Sequence, residues 1–189
     1  PKGTEAFFGS SIRRFVSAAN HGTTSSPSMS GFSKTSYALM EELNEGGQKA
    51  RFYNDVGTLV LRIVVGLMVL HHGLQKIQDP EAFATNTVAK WFPILPVPMF
   101  WTYVAIVVEA VGPVCLLTGV AVRAASSFLF GTMCFANLFH FAFTGLQGFP
   151  LGIPKGGAYA FEPSLLCQAI FFHLMCVGSG RFAVKPGWF

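Results

Sequence analysis

The run Leu61–Ile77, LRIVVGLMVLHHGLQKI, is apolar enough to cross a bilayer, yet it carries Arg62, His71, His72 and Lys76. Ionisable groups inside a membrane helix are costly and normally face protein, cofactor or water rather than lipid. Glu109 poses the same problem in the middle of WTYVAIVVEAVGPVCLLTGV. On a helix, Arg62 and Lys76 share a face and lie roughly 21 Å apart in depth. If the first two apolar runs are antiparallel and the loop between them merely returns the chain, Arg62 reaches the depth of Glu109 to Pro113. A direct Arg62–Glu109 pair would then resolve both burials. Such a pair either fixes helix register or takes part in ligand binding, and a protonated Glu109 bonded to a neighbour is the third reading.

A second polar cluster gathers toward the other membrane face. His71, His72, Gln75 and Lys76 end the first run, and His140 ends the third at the same face. Asn137, three residues earlier, shares the helix face of His140. Gln147 and Glu162 belong to the loop on that side, whereas His173 lies near mid-membrane in the last run. Histidines at these depths can bind a quinone carbonyl, a haem or a chlorophyll magnesium. Haem ligation needs two of them facing at one depth, and a hydrogen-bonded structural role serves each equally well. No nucleophile elbow, phosphate loop, HExxH or GxGxxG is present. The cysteines, Cys115, Cys134, Cys167 and Cys176, all fall in apolar runs without metal-ligand spacing and read as small, buried, reduced thiols.

The elements that position these groups follow from composition. The chain has 189 residues, 51% of them hydrophobic and only 12% charged, against about 25% charged in soluble domains. Half of the 22 Lys, Arg, Asp and Glu residues fall in the first 55 positions, leaving the rest nearly uncharged. That pattern points to an all-α membrane protein rather than a soluble core. A net charge of +4 without a basic, aromatic-interleaved stripe argues against nucleic acid. Four membrane helices are expected: Val56–Ile77, Met99–Val120, Ala121–Phe143 and a short one at Ser164–Val177. Prolines 93, 96 and 98 break any helix between the first two, so an interfacial helix near Glu81–Trp91 and then a turn are expected. Gly145–Pro163 should be irregular. Gly66, Gly112, Gly119, Ala124, Ala125 and Gly131 should sit at helix contacts, and Phe128, Phe130, Phe171 and Phe172 should be partly lipid- or partner-facing.

Residues 1–54 form an extension with too few apolar residues for a core. Short helices are expected over IRRFVSAA and YALMEELN, the second stopped by Gly46-Gly47. An ordered tail would have to dock Phe7, Phe8, Phe15, Phe32, Tyr37, Leu39 and Met40 on another surface, which points to a larger assembly. The start at Pro1 suggests a processed N-terminus. Lys49, Arg51, Arg123, Arg181 and Lys185 flank the spans on the side of the termini, against Lys76, Lys90 and Lys155 on the other. The positive-inside rule then puts both termini in the cytoplasm, stroma or matrix.

LRIVVGLMVLHHGLQKI resembles the first helix of the DoxX family of small four-helix membrane proteins, through Arg62, His72-Gly73 and Lys76. EAVGPVCLLTGVAVRAA resembles the family's mid-membrane glutamate followed by G..LLTG, through Glu109, Gly112, Gly119 and Arg123. GSGRFAVK, Gly178 to Lys185, resembles its closing stretch, with Lys185 in place of the usual aspartate. The long loop Gly145–Pro163 and the extension 1–54 also depart from the bacterial pattern. Two functions follow. One is a non-catalytic accessory subunit of a large organellar membrane complex, touching other membrane subunits and lipids. A plastid photosystem–antenna complex in the thylakoid is the first choice, with chlorophyll or carotenoid near the histidines, and the mitochondrial inner membrane the second. The other, implied by the resemblance, is a quinone-linked membrane oxidoreductase component using Arg62, Glu109 and the histidines around a quinone head.

Overall fold

The computed structural model of the chain describes residues 34–154 and 156–184, with side-chain surroundings from residue 40. The helix expected over IRRFVSAA, the tail aromatics Phe7, Phe8, Phe15 and Phe32, and Lys155 and Lys185 lie outside the described residues. The chain divides into two compact units, Pro1–Gly47 and Gln48–Phe189.

The described residues are helical, without strands. α1 (Lys34–Gln78) is followed by α2 (Pro80–Phe83), which runs on into a π-helical stretch, Ala84–Ala89. α3 (Pro98–Thr118), α4 (Val122–Thr144) and α5 (Glu162–Val177) complete the order. Three helical stretches are long and apolar enough to cross a membrane: Met40–Gln78, Pro98–Thr118 and Val122–Thr144. The 16 residues of α5 are apolar but shorter.

One expected stop is absent. Gly46 and Gly47 lie inside α1, and neither adopts the positive φ that ends a helix. Without that left-handed turn, glycine only weakens a helix, and the residues after Gly47 carry it on. Gly119 does end α3, with φ 80° and its N–H bonded to the Cys115 carbonyl. Val97 and Ala121 take positive φ where α3 and α4 begin, a strained choice for residues with a Cβ.

Polar groups sit inside and large apolar ones outside. Thr58, Arg62, Thr102, Glu109, Ser126, Asn137 and Ser164 are buried, while Val64, Leu67, Val107, Val111, Phe128 and Leu138 are exposed. Lipid tolerates that arrangement where water would not. The core joins Val65 and Val69 of α1, Leu116 of α3, Leu129 of α4, and Phe171 and Leu174 of α5. Gly66, Gly112, Gly119 and Ala125 are buried, as expected of contact residues, but Ala124 is exposed. Phe128 and Phe172 face outward as expected, whereas Phe171 is wholly enclosed. Adjacent helix positions point about 100° apart, and Phe171 shares its face with Cys167 and Leu174, both buried. Cys176, by contrast with the expected buried thiols, is exposed.

A polar seam joins α4 to α5. Asn137 Nδ2 donates to Gln168 Oε1 at 2.7 Å, and Ser164 Oγ donates to Asn137 Oδ1 at 2.5 Å. Gln168 Nε2 reaches Cys134 Sγ at 3.0 Å. Asn137 is thus committed to helix association. The loop before α5 is irregular, as its glycines require, and rests on the enclosed ring of Phe161 against Phe141, Phe149 and Tyr159.

Candidate site: a groove with an ion pair at its edge

The register of α1 against α3 is set by Gly73. A Cβ there would lie 2.7 Å from the Glu109 carbonyl carbon and oxygen, so the two backbones touch. Only glycine allows that approach. One turn further along α1, Lys76 comes level with Glu109, and Nζ donates to Oε2 at 2.5 Å. The side chains are 15% and 7% exposed.

The expected Arg62–Glu109 pair does not form. Arg62 lies deeper along α3 and is fully enclosed. Its Nε donates to the Leu116 carbonyl at 2.7 Å, and Nη1 to those of Ser179 at 2.6 Å and Phe182 at 2.9 Å. Nη2 stands 3.4 Å from the Leu117 carbonyl. These oxygens come from the last turn of α3, the negative end of its dipole, and from the stretch after α5. The register differs from expectation because the connection after α1 is not a plain return. Residues 80–91 fold as a helix against α3 and α4, which carries the start of α3 well past the level of Lys76.

That folded connection encloses a half-open groove of about 350 Å³. Phe83, Val88 and Phe92 line it from the connection, Trp101, Ala105 and Val108 from α3, and Gly131, Thr132, Phe135 and Phe139 from α4. Lys76 and Glu109 are the ionisable residues of the lining. Edge-on ring contacts of Trp91 with Phe139 and Phe143, and of Phe92 with Phe135, clamp the connection to α4. The Lys76 ammonium also lies 5.0 Å from the Phe83 ring centroid, a cation–π contact. Trp101 Nε1 is buried without a hydrogen-bond partner. A Cβ on Gly131 would meet nothing within 4 Å: this glycine, expected at a helix contact, borders empty space. π-Helical turns are rare and recur at functional sites, and here the stretch supplies Thr87 and Val88 to the lining.

The histidines do not gather. His71 and His72 are exposed on α1, their rings 3.9 Å apart. His140 is half-buried beside Phe139, and His173 is exposed on α5. None lines the groove. No three His, Cys, Asp or Glu residues converge among the described residues. Gln147 and Glu162 brace the loop, accepting from the backbone N–H groups of Ala160 and Tyr159. Sequence reasoning found Lys76 and Glu109 separately but missed their pairing and the aromatic lining. The signal was the Phe and Trp content of the connection, which reads equally well as an interfacial belt.

The DoxX family model matches residues 57–145, a span that contains the whole groove. A protein of Bacillus subtilis (strain 168) named "Putative oxidoreductase CatD" is 30% identical over 132 residues, covering 70% of this chain and 87% of that protein. An "Uncharacterized protein" of Haemophilus influenzae (strain ATCC 51907 / DSM 11121 / KW20 / Rd) is 33% identical over 131 residues, 68% of this chain and 88% of its own length. No solved structure matches the chain significantly.

Proposed function

The chain belongs to the DoxX family, and we propose that it is a membrane oxidoreductase component whose groove takes the head of a lipid-soluble quinone. The observation that carries this reading is an aromatic-lined groove with a Lys76–Glu109 ion pair at its edge. Its volume lies at the small end of ligand pockets, enough for a ring head, and its open side leaves a route for a tail. A quinone head is flat and apolar at its rim and carries carbonyl oxygens. The rings of Phe83, Trp101 and Phe135 suit the rim, and the Lys76 ammonium suits a carbonyl. Glu109, already bonded to Lys76, is placed to hold or release a proton there. A bound quinone would supply the electron-accepting chemistry, while the electrons come from a redox partner. The name of the Bacillus relative is consistent with this class. The plastid and photosystem reading draws no support from the relatives. We read α5 as a fourth crossing, which returns the chain to the side of the α1 start.

The test is a titration of the purified protein in detergent with a short-tailed quinone, read by quenching of Trp101 fluorescence. Saturable quenching is expected, weakened about tenfold or more in Lys76→Met, since a hydrogen bond to a charged group contributes roughly 1.5–3 kcal/mol. Equal quenching in the wild type and in both Lys76→Met and Trp101→Phe would contradict the site.

A further inference from the structure

The far end of the membrane-crossing part of α1 carries a second hollow, chemically opposite to the groove. Lys49, Arg51, Phe52, Tyr53, Asp55 and Arg181 line an open volume of about 650 Å³. Arg51 and Arg181 are the guanidinium groups of that lining and Asp55 its carboxylate. Asp55 is occupied: its Oδ2 accepts from Arg181 Nε at 2.7 Å and its Oδ1 from the Arg181 backbone N–H at 3.4 Å. That contact orients Arg181 yet leaves 65% of its side chain exposed.

The stretch that presents Arg181 is fixed from inside the protein. Arg62 holds the carbonyls of Ser179 and Phe182, and Val184 N–H donates to the Thr118 carbonyl at 3.0 Å. The guanidinium is therefore placed on a rigid support. The surroundings fix its depth. The apolar run of α1 starts at Val56, just beyond Asp55. Phe52, Tyr53 and Phe182 are exposed beside the cations, with the Phe52 and Phe182 rings 6.2 Å apart. Exposed aromatic rings at the end of a membrane helix mark the headgroup level. Basic pockets at that level recognise anionic lipid heads, and an arginine fork matches two phosphate oxygens at once.

We propose that this hollow seats the phosphodiester head of an anionic glycerophospholipid of the surrounding leaflet, with Arg51 and Arg181 as its principal contacts. The site lies apart from the groove, so its occupancy does not depend on the quinone reading.

The test uses the full chain, purified with a mixture of phosphatidylglycerol and phosphatidylcholine and examined by native mass spectrometry. Retained phosphatidylglycerol is expected in preference to phosphatidylcholine. At about 1 kcal/mol per cation near an anionic surface, Arg51→Gln should cut that preference roughly fivefold and Arg51→Gln with Arg181→Gln by more than tenfold. Arg51→Gln alone guards against misfolding, because Arg51 is exposed and takes no part in the Asp55 contact. Lys90→Gln, at the other membrane face, should change nothing. Millimolar inorganic phosphate should not displace the lipid. Equal retention of both lipids, an equal loss in Lys90→Gln, or displacement by phosphate overturns the assignment.

Discussion

Arg62 and the Lys76–Glu109 pair are both charges held inside helices that can cross a membrane, and they are satisfied in opposite ways. Arg62 is fully enclosed and spread over backbone carbonyls of α3 and of the stretch after α5. It lines neither of the two hollows described above. Lys76 and Glu109 satisfy each other and stand at the edge of an aromatic groove. A charge saturated by backbone oxygens has nothing left to offer a ligand, so Arg62 is a structural clasp. A charge pair facing empty space can exchange partners. Burial and charge alone do not separate the two; what fills the remaining surface does.

The sharpest way to break the comparison is Arg62→Ala. It strips carbonyls of their donor and leaves a hole in the core, which should cost about 3–5 kcal/mol, from buried acceptors left unpaired beside a cavity. Thermal unfolding in detergent should show a protein that barely folds. Arg62→Lys should recover little of the loss, because a point charge cannot span oxygens from two elements. A lysine variant as stable as wild type would remove the clasp.

Gly73→Ala comes next. Its methyl would press on the Glu109 backbone, and overpacking of this kind costs about 1–3 kcal/mol. Because the same contact sets the Lys76 register, quinone affinity should fall with stability. Separate behaviour of the two readouts would show that the groove does not depend on that contact.

A smaller stability effect is expected from the ion pair. Lys76→Met alone leaves Glu109 unpaired and should cost roughly 2 kcal/mol, less than a sealed pair because the groove is open. The double change with Glu109→Gln should return most of that stability without restoring ligand binding. A double variant less stable than the single one would make the pair a structural element like Arg62.

The apolar runs reveal the helices themselves, because each is long, nearly uncharged and bounded by Pro98, Gly119 or Gly145. The family motifs single out Arg62, Lys76 and Glu109. Their partners are not legible. Pairing Arg62 with Glu109 assumes a loop that simply turns back, whereas residues 80–91 fold against α3 and α4 and shift the register. Gly73 shows its meaning only once the Glu109 backbone is seen against it. Phe171 and Phe172 are identical in type and differ only in helix phase. The groove is a property of packing: Gly131 reads as a contact glycine in sequence and borders a void in the fold.

Gly131 therefore offers the most direct measurement of the central claim. Gly131→Leu places a side chain in open space on a helix, so folding should be unharmed or gain up to about 1 kcal/mol from helix propensity. The same side chain fills the groove between Trp101 and Phe135. A titration of this variant with short-tailed quinone, beside its unfolding midpoint, should show a stable protein that no longer binds. Wild-type affinity in a stably folded Gly131→Leu protein would contradict the groove as the ligand site.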